Sequence, residues 1–258
     1  MERNFYFKEV RKMVLNKSKI ISSAIIGIAL VITACVLGKS WRKTHFSYQT
    51  ISVTGLGQKD FVSDLIVWNA VFSRTAKTLA DANTLIKEDI KLVKYFLKKK
   101  NIADADITFS TVKINRDYKS LYNNEGNVTG NEFNGFTLIQ EVIIESKDLA
   151  AVEKMAGEIS DLIEKGIEFS AQEPDYYFTK LKDLKIELLK AATEDAFVRA
   201  QTMAENAKSG VGNLKNATMG VFQITGQNSN EDYSWGGSFN TKAKDKTASI
   251  TVKLEFDL

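Results

Sequence analysis

One stretch constrains this chain before any other. Ile20 to Gly38, IISSAIIGIALVITACVLG, is an uncharged apolar run that occurs once, close to the N-terminus. At ~1.5 Å per residue it reaches about 28 Å as an α-helix, the thickness of a bilayer core. Before it stand Arg3, Lys8, Arg11, Lys12, Lys17 and Lys19 against Glu2 and Glu9; after it stand Lys39, Arg42 and Lys43. The heavier basic load on the N-terminal side predicts that this end stays in the cytoplasm and that everything after Trp41 crosses the membrane. The expected layout is a short basic cytoplasmic segment (1–19), a transmembrane signal anchor (20–38), a juxtamembrane linker (39–47) and an extracytoplasmic domain (48–258).

Two other readings of the same stretch stay open. Ile32-Thr33-Ala34-Cys35 resembles the bacterial lipobox, in which the signal is cut before a cysteine that is then acylated. Against this, Val36-Leu37-Gly38 continue the apolar run where a polar linker is expected, and the basic segment ahead is long. A conventional cleaved signal is the third reading, since such signals are also basic and then apolar. Cys35 is the only cysteine, so the exported part has no disulfide and no thiol nucleophile.

Splitting the charge at the membrane changes its meaning. The whole chain is +3, with 35 Lys/Arg and 32 Asp/Glu. Residues 1–43 hold nine basic and two acidic groups (+7), leaving 26 and 30 (−4) for the rest. The basicity is therefore a topology signal, and Lys98-Lys99-Lys100 reads as the solvated C-terminus of a helix. No nucleic-acid partner is expected.

Residues 44–258 suit one domain or two intimately packed halves, with a single proline, Pro174, and no flexible linker. Residues 51–57 and 64–73 read as strands, the second with Ile66, Trp68, Ala70 and Phe72 on one face. A helix is predicted from about Arg74 to Lys100, with Leu79, Ile86, Ile90, Val93 and Leu97 as its apolar stripe and Asn101 as a left-handed cap. Strands at 106–116 and 135–145 flank a polar loop, Lys119 to Asn134. Ser146 or Asp148 caps a helix to about Lys165, and a short strand spans Ile167 to Ala171. The longest helix is expected from Tyr176 to Ser209, where Ala192, Ala196, Ala200 and Ala204 form a smooth ridge for close packing or self-association. A strand near 217–225, a loop at 226–246 and a last strand with Ile250, Val252, Leu254, Phe256 and Leu258 on one face complete the chain. The expected fold class is α+β: an antiparallel or mixed sheet with long helices packed on one side, preceded by the transmembrane helix.

That order, with several local motifs, resembles the SIMPL-domain (YggE-like) family of prokaryotic envelope proteins over about residues 48–258. The matching pieces are Ile51-Ser-Val-Thr-Gly55-Leu-Gly57, Leu97 before Asn101-Ile102, Asp106-Ile107 and Asn134-Gly135-Phe136. The alanine-rich helix through Ala191, Ala196, Ala200, Met203 and Ala204 fits, as does Ala248-Ser-Ile-Thr-Val-Lys-Leu-Glu-Phe. Asn101 stands where the family usually has glycine, and Phe109 where a threonine is common. The resemblance implies a periplasmic or cell-surface location, an α+β fold, a tendency to oligomerise and a link to envelope or oxidative stress. It carries over no catalytic residue. With the basic and then apolar N-terminal segment, the expected place is the inner membrane with the domain in the periplasm, and the expected partner is a further copy of the chain or another envelope protein.

The residues themselves offer little chemistry. His45, the only histidine, lacks the partners of a zinc site or a triad. Gly55-Leu-Gly57 lacks the third glycine of a dinucleotide loop and reads as a tight strand end or bulge. Asn123, Glu125, Gly126 and Asn127 have the wrong spacing for a calcium loop. Glu194 and Asp195, neighbours on a helix, diverge, and Asp104 and Asp106 flank a turn, so both pairs read as solvated surface. No cofactor or metal is expected. The most informative segment is the loop 226–246, where Tyr233, Trp235 and Phe239 place three aromatics in a polar excursion suited to recognition or to covering the core. The function expected is non-enzymatic, self-assembling or partner-binding. The alternatives are an envelope hydrolase whose carboxylates converge only in the fold, and a lipoprotein scaffold acylated at Cys35.

Overall fold

The computed structural model describes residues 23, 25–40, 49–232 and 234–258. Residues 25–40 form a helix, α1, whose large apolar side chains from Ile25 to Leu37 are exposed on the isolated chain. Among the described residues no helix is long and apolar enough to cross a membrane. Of the expected span 20–38, residues 20–22 and 24 lie outside the described residues, as do the segment 1–19 and residues 41–47 of the linker.

The rest of the chain builds two antiparallel sheets rather than one, each with its own helical cover. The first has the order β1 (Thr50–Val62), β10 (Asp245–Asp257), β8 (Leu214–Met219), and β9 (Gln223–Gly226) also pairs with β10. Alternation is the cause of its layering: Ile51 and Val53 share a face with Ile250, Val252, Leu254 and Phe256, while the intervening Thr54, Lys253 and Glu255 point to the other side. The buried face lies against α5 (Leu181–Asn206), which contributes Leu184, Leu188, Ala192, Ala196, Ala200 and Ala204.

Gly55 and Gly57 explain why that ridge is made of alanine. They sit in the unbroken middle of β1, not at a strand end or bulge as the sequence suggested. A Cβ on Gly55 would lie 2.1 Å from the Ala192 carbonyl oxygen and 2.4 Å from the Ala196 nitrogen, and one on Gly57 would lie 2.2 Å from the Leu188 carbonyl oxygen. Helix backbone rests on strand backbone, and only glycine opposite alanine leaves that space.

The second sheet centres on β2 (Leu65–Ala76). On one side lie β5 (Val128–Ser146), β3 (Ile107–Phe109) and β4 (Lys113–Tyr122); on the other lie β6 (Glu168–Ala171) and β7 (Asp175–Tyr177). Ile66, Trp68, Ala70 and Phe72 bury against α2 (Leu79–Lys99), α3 (Leu149–Gly157) and α4 (Ser160–Ile163), joined by Val142 and Ile144. Thr78 caps α2 by accepting from the Asp81 N–H, and Asn101 at φ 63° closes it in the expected left-handed conformation.

Several boundaries shift for physical reasons. The strand β2 runs three residues past Ser73 because Thr75 and Ala76 still pair with Thr137 and Phe136. Asp148 provides the second helix cap, but that helix breaks after Gly157 and resumes as α4. Tyr176 and Tyr177 belong to β7 and not to the long helix, because their strand pairs with Ile66 and Leu65. The expected strand 217–225 is two strands, interrupted at Gly220 to Phe222. Leu258 ends the chain exposed instead of joining the buried face. The polar loop 119–134 is mostly a two-stranded ribbon, in which β4 and β5 pair out to Tyr122 and Val128.

Candidate functional site: the Trp235 loop and its groove

The loop between β9 and β10 is described over residues 227–232 and 234–244, and its 234–238 stretch lies on the sheet face opposite α5, where Gln223 and Ser249 point. One side chain anchors the excursion. Gln223 is buried, its Nε2 donates to the Ser234 carbonyl at 2.7 Å, and its Oε1 accepts from the Ser238 N–H at 2.6 Å. The Ile224 N–H donates to the Ser238 carbonyl at 2.7 Å, and Asn240 returns its own N–H to Ile224 at 3.0 Å. Between these ties the chain reverses at Ser234-Trp235-Gly236-Gly237. Gly237 takes φ 95°, and its N–H donates to Ser234.

The turn throws Trp235 outward. Its side chain is fully exposed (101%), whereas Trp68 is 1% exposed. Beneath it runs a groove of about 440 Å³ whose walls include Leu56, Val221, Trp235 and Thr251, with Gln223 and Ser249 between. Among the described residues no acid, base or strong nucleophile lines it. Its chemistry is that of apolar and aromatic contact with a few neutral hydrogen-bonding groups.

The far end of the loop is held by charge. Lys246 is 2% exposed and donates to the Asn240 carbonyl, while Asn240 donates to the Glu231 carboxylate and accepts from the Ala243 N–H at 2.7 Å. Burial pushes the Lys246 ammonium down to about 8, against the opposing pull of Glu231 and Asp175. Beyond it the loop stitches the two sheets together. Thr241 Oγ1 donates to Asp175 at 2.8 Å, and Lys244 pairs with Glu153 at 3.0 Å. The Tyr176 hydroxyl donates to Glu153 at 3.0 Å; burial first, and then that carboxylate, pushes the phenol up to about 12. Burial acts to raise the Asp175 carboxyl, but hydrogen bonds from Lys242 and Thr241 outweigh it and hold the group below its usual range. Asp64, between β1 and β2, accepts from both the N–H and the hydroxyl of Thr179 at 2.7 Å.

The residues singled out by sequence separate accordingly. Trp235 lines the groove, Phe239 is half-exposed and bridges to Ile224, and Tyr233 lies outside the described residues, as does His45. Cys35 is exposed on α1. Asp195 accepts the Leu56 N–H at 2.8 Å and pairs with Arg199 at 2.9 Å, so it serves the fold. Among the described residues no group of three or more His, Cys, Asp or Glu is placed to hold a metal ion. Sequence reasoning passed over Gln223 and Lys246. Their only local signal is a polar residue at a core-facing or loop-facing position of a strand.

The family model SIMPL, described as a protein of unknown function (DUF541), matches residues 51–256. The chain belongs to this family. The match runs from β1 to the end of β10, so both sheets and the Trp235 loop lie inside the SIMPL domain. A search of curated proteins gives no match.

Proposed function

We propose that this SIMPL protein is a non-catalytic assembly protein of the cell envelope. Residues 20–38 anchor it in the inner membrane, with the N-terminus cytoplasmic and the SIMPL domain in the periplasm. The domain associates with further copies of itself, or with an envelope protein, through the groove beneath Trp235. One observation carries the reading: Trp235 is fully exposed on a turn that Gln223 ties down by hydrogen bonds to Ser234 and Ser238, over a mainly apolar groove with no ionisable lining among the described residues. A large aromatic presented on an ordered turn costs little entropy on binding and supplies contact area, which is what an interface anchor requires. The uncharged helical stretch in 25–38 and the basic excess ahead of it support the anchor.

Acrylamide quenching of the full chain in detergent micelles tests the reading, with Trp235→Phe to isolate the Trp235 signal. Association predicts that Trp235 is shielded at high protein concentration and becomes quenchable on dilution. Equal quenching at every concentration contradicts self-association through this groove.

A further inference from the structure

The ribbon that replaces the expected loop carries an uncovered apolar face. Beyond Phe136, the last partner of β2, β4 and β5 continue with no third strand beside them among the described residues. Six further residues of β4, Asp117 to Tyr122, project about 20 Å. Directly opposed residues share a face, so Tyr118 with Phe133 and Tyr122 with Val128 lie together, on the side where Ile114 stands opposite Leu138. The rings of Tyr118 and Phe133 meet edge to face at 5.8 Å, and Phe133 continues to Phe136 at 5.1 Å. The stripe is thus an extension of the helix-covered face of the second sheet, past the end of its helices. Ile114, Tyr118, Tyr122, Val128 and Phe133 are 55, 54, 63, 60 and 44% exposed. The other face carries Lys113, Asn115, Asp117, Lys119 and Leu121, and one polar pair, Ser120 opposite Asn131, lies within the stripe between Tyr118 and Tyr122. Two strands alone are marginal in water, and an apolar stripe on such a ribbon needs cover.

We propose that the ribbon packs face to face with the same ribbon of a second copy, antiparallel about a two-fold axis. Two arguments select this occupant. The first is charge: Arg116 stands at the root of the apolar face and Glu125 at the tip, so an antiparallel pair brings each root cation to the partner's tip carboxylate. The second is area: five half-exposed large side chains at roughly 100 Å² each give on the order of 500 Å² per copy, or about 1,000 Å² for the pair, the threshold of a specific interface. The inference rests on the self-association reading and adds a surface distinct from the Trp235 groove.

Light-scattering mass of the full chain in detergent micelles, with the detergent contribution subtracted, is the test. Tyr118→Asp with Tyr122→Asp halves the protein mass, with the circular dichroism and melting temperature of the domain retained. Arg116→Glu alone and Glu125→Arg alone each weaken the dimer by about tenfold. The double variant Arg116→Glu/Glu125→Arg restores it, a recovery that misfolding cannot imitate. If the chain assembles but its mass ignores the Tyr118/Tyr122 substitutions, the ribbon proposal fails and self-association stands. If the wild-type chain is monomeric throughout, both fail. A monomer whose ribbon is shielded only by phosphatidylglycerol vesicles would assign the stripe to lipid and overturn the proposal.

Discussion

The backbone N–H of Leu56 donates to Asp195 Oδ2 at 2.8 Å, so the outer edge of β1 is closed by a side chain of α5 and not by another strand. An open edge is a template for unwanted pairing, and this contact blunts it at mid-strand. The Leu56 N–H, and then Arg199, hold the Asp195 carboxyl below its usual range. A lowered carboxyl stabilises the fold above its ordinary pKa, and that contribution disappears as acid protonates it in the folded state. Asp195→Ala is expected to lower the melting temperature at pH 7 and to speed hydrogen exchange at Leu56 selectively. It should also flatten the acid limb of the stability profile. Unchanged exchange at Leu56 would refute the tie.

Gly55→Ala places a methyl group 2.1 Å from the Ala192 carbonyl, inside backbone that cannot move without lifting α5. Overpacking at such a site costs about 3 kcal/mol, read as a shifted denaturation midpoint. Gly157→Ala, with nothing within 4 Å of the added carbon, is the control and stays near neutral.

Lys246 makes the stability profile rise on the alkaline side. Burial depresses its ammonium to about 8, below the unfolded value, so between about pH 8 and 10.5 the unfolded chain holds a proton that the folded chain has released. Stability therefore increases with pH across that window, by on the order of 3 kcal/mol for this group alone. Lys246→Met removes the rise. Chemical denaturation at pH 7.5 and pH 10 checks this, and a wild-type profile that falls across the window contradicts it.

How much of this was readable in advance depended on whether the decisive contact was local. The alternation of Ile250, Val252, Leu254 and Phe256, and the alanines from Ala192 to Ala204, report burial directly, and both elements appear where expected. Asn101 was legible because few residues other than glycine accept φ 63°. The ribbon was not legible: Lys119, Asn131 and Glu132 are polar and exposed, Ser120 is polar and only half-buried, and burial is the signal that pattern reading detects. Asn123, whose side chain accepts from the N–H groups of Glu125 and Asn127, with Gly126 at φ 82°, was the available turn signal. Asp89 is not among the residues of the predicted α2 stripe. It is 2% exposed and held by two hydrogen bonds from Arg74 at 2.6 and 2.8 Å, a pairing across 15 residues that no periodicity reveals. The groove itself needed Gln223 to meet Ser234 and Ser238, which only the folded loop provides.

Cys35→Ser separates the anchor from the lipoprotein alternative. With an uncleaved helix as the anchor, the variant keeps the wild-type mass and remains in the membrane fraction. Accumulation of a heavier, unprocessed form would mean that Cys35 is the site of cleavage and acylation.

The most direct test is the light-scattering mass of the full chain in detergent micelles, followed from dilute to concentrated protein. The account predicts a discrete multiple of 28.8 kDa that dissociates on dilution, and a smaller mass for Trp235→Ala. A particle of 28.8 kDa at every concentration would contradict it.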